Sequence, residues 1–160
     1  MGMEFPFRYV SPIASRKFAL GKKVDRATAD VMTTALVPLF TVSGGRVLIT
    51  MLLGEVTTVL AAGTTPDFKF QADPTTGTTT DMCATVSIAS LEVGSLITIT
   101  GTPATAAVVG SSGNVPGMLT DGVIVAIGAI GAICDENITG SIKFTLCYIP
   151  IDDGAKVVAA

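Results

Sequence analysis

Residues 36–53 read LVPLFTVSGGRVLITMLL, two apolar runs joined by Ser43, Gly44 and Gly45. Val, Ile, Leu, Phe and Thr suit a pleated, half-buried surface, and a Gly-Gly step between two such runs is a hairpin signal. The stretch predicts an antiparallel hairpin and points the whole chain towards an all-β fold.

Downstream, Phe68 and Phe70 alternate with Lys69 and Gln71, so a period of two puts both rings on one face of a strand and the polar pair on the other. Residues 73–81, rich in Pro, Thr and Gly, read as a loop. Residues 82–91 fit either a strand or a helical turn capped by Asp81, and periodicity does not separate the two. Residues 96–100 alternate again, whereas 101–117, with Pro103, Gly110, Gly113 and Pro116, read as a long exposed loop. Residues 123–133 are apolar at both registers, with Gly128 and Gly131 allowing bends, which predicts a strand covered on both faces. Residues 142–151 are expected to close the sheet. About seven or eight strands without βαβ alternation predict an antiparallel jelly-roll-like sandwich or barrel.

Upstream the chemistry changes. Arg8, Arg16, Lys17, Lys22, Lys23 and Arg26 supply six of the ten cations, and with Glu4, Asp25 and Asp30 they give this end a net charge of +3. The remainder carries four cations and ten carboxylates, a net of −6. Phe5, Phe7, Tyr9 and Phe18 are interleaved with the basic residues, and Pro6 and Pro12 disfavour helix at the residues before them. Residues 1–24 are therefore expected to form an extended basic and aromatic arm, ahead of a β-sandwich body over 25–160. Asp25 is placed to cap a short helix with Ala27, Val31 and Ala35 along one stripe, ending before Pro38. Thr28, Val31, Thr33 and Thr34 are indifferent helix formers there.

A chain of 160 residues fits one domain, and 49% apolar against 14% charged residues predicts a core together with a subunit interface, hence a homo-oligomer. The apolar run 47–62 is broken by Gly54 and Glu55, and 122–134 is shorter than the ~20 residues of a spanning helix, so no membrane contact is expected. The N-terminus lacks the apolar stretch of a signal peptide. Cys83, Cys134 and Cys147 are odd in number, far apart and flanked by apolar residues, which predicts buried free thiols and assembly in a reducing cytoplasm.

Chemistry is sparsely equipped. The chain has no His, and with it go the commonest general base and the commonest metal ligand. Residues 110–117, GSSGNVPG, lack the Lys and Ser or Thr that complete a phosphate loop. The doublets Asp135, Glu136 and Asp152, Asp153 put neighbouring carboxylates on opposite strand faces and lack the alternating ligands of a calcium loop. Asn137, Ile138 and Thr139 match a glycosylation signal but read as a polar turn. No catalytic, cofactor or metal site is expected, and the chain reads as a non-enzyme. Nucleic acid is disfavoured as a partner, since the cations come without a recognisable binding fold on an acidic chain. An acidic protein surface fits better, with Phe5, Phe7 and Tyr9 as anchors and Arg8, Arg16, Lys17, Lys22, Lys23 and Arg26 as steering charges.

Three segments carry a family likeness: GGRVLITMLLGEV at 44–56, TTTDMCATVSIASLEVGSLITITG at 78–101 and GSIKFTLCYIPIDDGA at 140–155. They resemble small head decoration, or cement, proteins of tailed bacteriophages, over most of the body from Gly44 onward. The resemblance implies a jelly-roll-like homotrimer on the outer capsid surface of the virion, at three-fold and quasi-three-fold positions, bracing neighbouring copies of the major capsid protein. The arm lies outside the matched segments, so its capsid contact is an expectation from charge alone. The alternative is a tail, spike or glycan-binding sandwich module. Against glycan binding, the body offers only Phe40, Phe68, Phe70, Phe144 and Tyr148, most of which are assigned to the core.

Overall fold

Apolar alternation dictates which strand faces meet. In the computed structural model, which describes residues 19–61, 66–111 and 113–160, the chain forms β1 (Lys22–Asp25), β2 (Val37–Ser43), β3 (Val47–Ala61) and β4 (Asp67–Pro74). Four short strands follow: β5 (Thr80–Asp81), β6 (Val86–Ser87), β7 (Leu96–Thr98) and β8 (Val108–Gly110). The last are β9 (Val123–Val125), β10 (Gly128–Cys134), β11 (Thr139–Pro150) and β12 (Lys156–Ala159). Among the described residues only Ala19 and Leu20 are helical.

Two six-stranded antiparallel sheets result. The first is built on the long β3–β11 pair, with β1 beyond β11, and with β9 and β7 beside β3 and β8 outside β7. The second runs β12-β2-β10-β4, with β5 and β6 both on β4. Between the sheets, Leu39, Phe40, Ile49, Leu52, Ile97 and Leu146 are fully buried or nearly so. Phe70 of the second sheet meets Phe68 edge-on at 4.9 Å and Phe144 of the first sheet at 5.9 Å, an attractive T-shaped geometry that ties the layers. The architecture is the all-β antiparallel sandwich that the strand pattern predicts, and Phe68 and Phe70 point inward while Lys69 and Gln71 face out.

Several local expectations are corrected. Residues 36–53 are two strands but not a hairpin, because β2 lies in the second sheet and β3 in the first. The turn is a corner between layers. Beside it runs the 151–155 connection, which makes the reverse crossing from β11 to β12, and β2 and β3 each pair on both sides within their own sheets. Residues 123–133 likewise split between the sheets as β9 and β10, which explains apolar residues at both registers: the inward direction changes at the crossing.

The helix expected after Asp25 is absent. Arg26 N–H donates to Phe144 O at 2.9 Å, and Asp30 exchanges backbone hydrogen bonds with Ile142 at 2.8 and 2.9 Å, so the part of β11 that β1 leaves unpaired takes up the backbone groups of this weak helix former. Residues 22–24, expected in the arm, belong to the sheet. The 101–117 loop contains β8, the 82–91 segment contributes only β6 and a bridge from Ala84 to Ala106, and β11 is interior to its sheet. The closing edge strand is β12, which the sequence reading missed.

Candidate interaction surface

Phe5, Phe7, Arg8, Tyr9, Arg16 and Lys17 lie outside the described residues. Of the expected contact cations, Lys22 and Lys23 sit exposed on β1, an edge strand. Lys23 Nζ is 2.8 Å from Asp25 Oδ2, and the Thr145 hydroxyl donates to Asp25 at 2.8 Å. The hydrogen bonds from Lys23 and then Thr145 hold the Asp25 carboxyl below its ordinary value.

Arg26 is different. Its side chain is only 14% exposed and is paired with Asp30 at 2.6 Å through Nε, with a second bond at 2.9 Å from Nη2. Nη1 donates to Leu39 O at 3.3 Å and to Ala160 O. Residues next to β1 are thereby fastened to β2 and to the end of β12 in the other sheet. Arg26 is a strut across one side of the sandwich, a correction to its expected place among the exposed contacts.

The two outer faces differ in chemistry. On the first sheet, register places Ile124 of β9 opposite Leu48 of β3, and Leu48 opposite Ile149 of β11. Their strand neighbours Val47, Ile49, Val125 and Tyr148 belong to the core, so this row faces outward; Ile124 is 63% exposed and Ile149 37%. Leu20 and Gly21 reach the same face. The Thr50 hydroxyl donates to Leu20 O at 2.6 Å, and a Cβ on Gly21 would stand 2.8 Å from Ile149 Cγ1. On the second sheet, Asp67, Lys69, Gln71 and Asp73 alternate outward along β4. Asp81 pairs with Lys69 at 2.9 Å and accepts from the Gln71 amide at 2.7 Å, and Gln71 and then Lys69 lower its carboxyl. Asp135 Oδ1 accepts the Asp67 N–H at 2.7 Å beside a shallow hollow of about 350 Å³ lined also by Thr34, Thr85 and Ile133. That face is acidic. The apolar row escaped the sequence reading because Leu48 and Ile149 lie in unbroken apolar runs, where alternation gives no sign of which members face out.

Cys83, Cys134 and Cys147 are free and buried, and burial raises each thiol above its ordinary value. Such thiols are poor nucleophiles. Among the described residues no three of His, Cys, Asp and Glu are grouped to hold a metal ion, and no helix is long and apolar enough to cross a membrane. Comparison with protein-family models, curated proteins and solved structures finds no match.

Proposed function

We propose that the chain is a non-catalytic decoration, or cement, protein of a tailed-bacteriophage head, acting as a homotrimer that braces major capsid protein subunits from outside. One observation carries this reading: the sandwich is two-faced. An apolar outer row, the cations of β1 and the entry of the basic arm share one sheet, while the opposite sheet presents carboxylates. Such a body suits docking with the first sheet towards an acidic and apolar protein surface, leaving the second in water. Lys22 and Lys23, with Phe5, Phe7, Arg8, Tyr9, Arg16 and Lys17 of the arm, supply the contacts; Arg26 does not. Each contact need bury only ~800 Å² per partner, since three linked copies raise effective concentration without new contacts. The described body aromatics Phe40, Phe68, Phe70, Phe144 and Tyr148 are buried, which disfavours stacking on a glycan.

The test uses empty shells assembled from the major capsid protein of the phage that the reading assigns to this chain. Purified protein is mixed with them and sedimented. Saturable co-sedimentation in multiples of three copies per site supports the reading, and its absence on expanded and unexpanded shells alike rejects it.

A further inference from the structure

A sheet edge is a row of half-used hydrogen-bonding groups, and folded chains blunt such edges with short strands, charge, Pro or bulges. In this sandwich β5 and β6 are two residues long and β8 and β9 three, while β1 carries Lys22, Lys23 and Asp25 among its four. The edge at β12 is less guarded. Its four residues, KVVA, pair with β2 in unbroken register, include no Pro and hold their one charge, Lys156, at the start. Among the described residues no strand pairs with its other side.

Hydrogen-bond phase decides which groups are left over. Ala160 N–H donates to Leu39 O at 3.0 Å, and alternate residues of an antiparallel strand bond to the same neighbour, so Val158 and Lys156 turn their backbone groups to β2. Val157 and Ala159 turn theirs to the open edge. Arg26, on the same flank, reaches Ala160 O and leaves both unengaged. Val157 belongs to the core, whereas Val158 points outward and is 46% exposed. Ala159 shares the inward direction of Val157 and is exposed nonetheless, so the flank is not closed over this end of the strand.

A second copy of β12 matches the edge. Set antiparallel about a dyad at Val158, Val157 of each copy exchanges N–H···O bonds with Ala159 of the other, and the free groups of both residues are used. Val158 then meets Val158 of the second copy as a non-hydrogen-bonded pair, about 4.5 Å apart at Cα, where cross-strand side chains are closest. Lys156 falls opposite Ala160, so no like charges oppose each other. A dyad at Val157 or at Ala159 engages only that one residue's groups within β12.

We infer that β12 is a site at which two copies of this chain join, their second sheets running on as one. The dyad stands normal to the sheet, so the two first sheets emerge on the same side. A dyad cannot close a three-fold ring. On the decoration reading the contact therefore joins copies of neighbouring trimers and leaves their apolar rows turned the same way.

The experiment makes Val158→Cys and, separately, Lys156→Cys in the full chain, oxidises each mildly at matched concentration and follows linked product by non-reducing gels and peptide mapping. Thiols at 158 fall within the Cα range of about 4.4–6.8 Å that a disulfide spans, whereas two thiols at 156 stand about 13 Å apart at 3.3 Å per residue. Linkage at 158 should be about tenfold faster or more. Adding Ala159→Pro to Val158→Cys removes an N–H that faces the open edge and no bond to β2, so the melting temperature should hold while linkage falls about tenfold. Equal rates at 158 and 156, or linkage at 158 that Ala159→Pro leaves unchanged in a folded body, overturn the inference. Should the Pro variant open buried Cys83 and Cys134 to thiol reagents, the ratio of the 158 and 156 rates decides alone. No shell is present in the assay, so its outcome is separate from that of the decoration reading.

Discussion

Asp152 accepts from Arg46 three times, from Nε at 2.9 Å, Nη2 at 2.8 Å and the backbone N–H at 2.7 Å. The side-chain hydrogen bonds, then the backbone one, bring its carboxyl from 3.8 down to about 2. A depressed carboxylate stabilises the fold fully above its unfolded value near 4, and that contribution is lost as pH falls through about 2. Asp152→Asn should therefore flatten the part of the stability profile between about pH 4 and pH 2, measured as urea midpoints. An unchanged slope would show that the pair contributes nothing in solution. Arg26 and Asp30, at 14% and 10% side-chain exposure, are better shielded. Arg26→Met keeps the stem but strands Asp30 and frees the carbonyls of Leu39 and Ala160, and should cost about 2 kcal/mol at pH 7. Equilibrium denaturation checks it, and a loss within error of zero would return Arg26 to the exposed cations. The i, i+4 spacing of Arg26 and Asp30 is visible in the sequence. The two carbonyls that turn the pair into a strut come from distant strands and are not.

The corner between β2 and β3 shows where strands are legible and their pairing is not. Alternation at Phe68, Lys69, Phe70 and Gln71 is local and survives any topology, so strand content and core faces can be read directly. Register is a competition among distant segments: β3 pairs with residues 139–150 and β2 with β10 and β12, and no local signal in SGG distinguishes a hairpin from a layer crossing. The same limit hid the outward row, since Leu48, Ile124 and Ile149 become neighbours only once β9, β3 and β11 align. Within the corner, Gly44 has φ +76° and a Cβ there would stand 2.3 Å from Gly154 O. Gly154 has φ +83° with nothing within 4 Å of a Cβ. Gly154→Ala should thus cost only the left-handed backbone penalty, about 1 kcal/mol, whereas Gly44→Ala adds a clash of backbone with backbone and should cost about 3 kcal/mol. Thermal melts of the two variants decide it, and equal losses would mean that the paired crossings are slack.

At the scale of the molecule, the proposed decoration role separates steering from holding on the two-faced sandwich. Long-range attraction to an acidic shell depends on exposed cations, screened within a Debye length of about 10 Å at 0.1 M salt, and acts mainly on association. Replacing Arg16, Lys17, Lys22 and Lys23 together should slow attachment about tenfold and weaken its salt dependence, with little change in dissociation. Truncating Phe5, Phe7 and Tyr9 should instead speed dissociation, because buried aromatic anchors hold a formed contact. The acidic face supplies the control: Asp67→Asn with Asp73→Asn alters the total charge without touching the docking side. If net charge alone governed attachment, the pair would speed it by relieving repulsion from an acidic shell; if orientation governs, attachment rates stay close to those of the unaltered protein. Stopped-flow or interferometric binding to empty shells at two salt concentrations separates the cases. The pair removes two charges where the cation set removes four, so acceleration by the pair about half as large, on a logarithmic scale, as the slowing by the cation set would remove the reason to assign the first sheet to the shell, since the body would then be sensed only as a point charge.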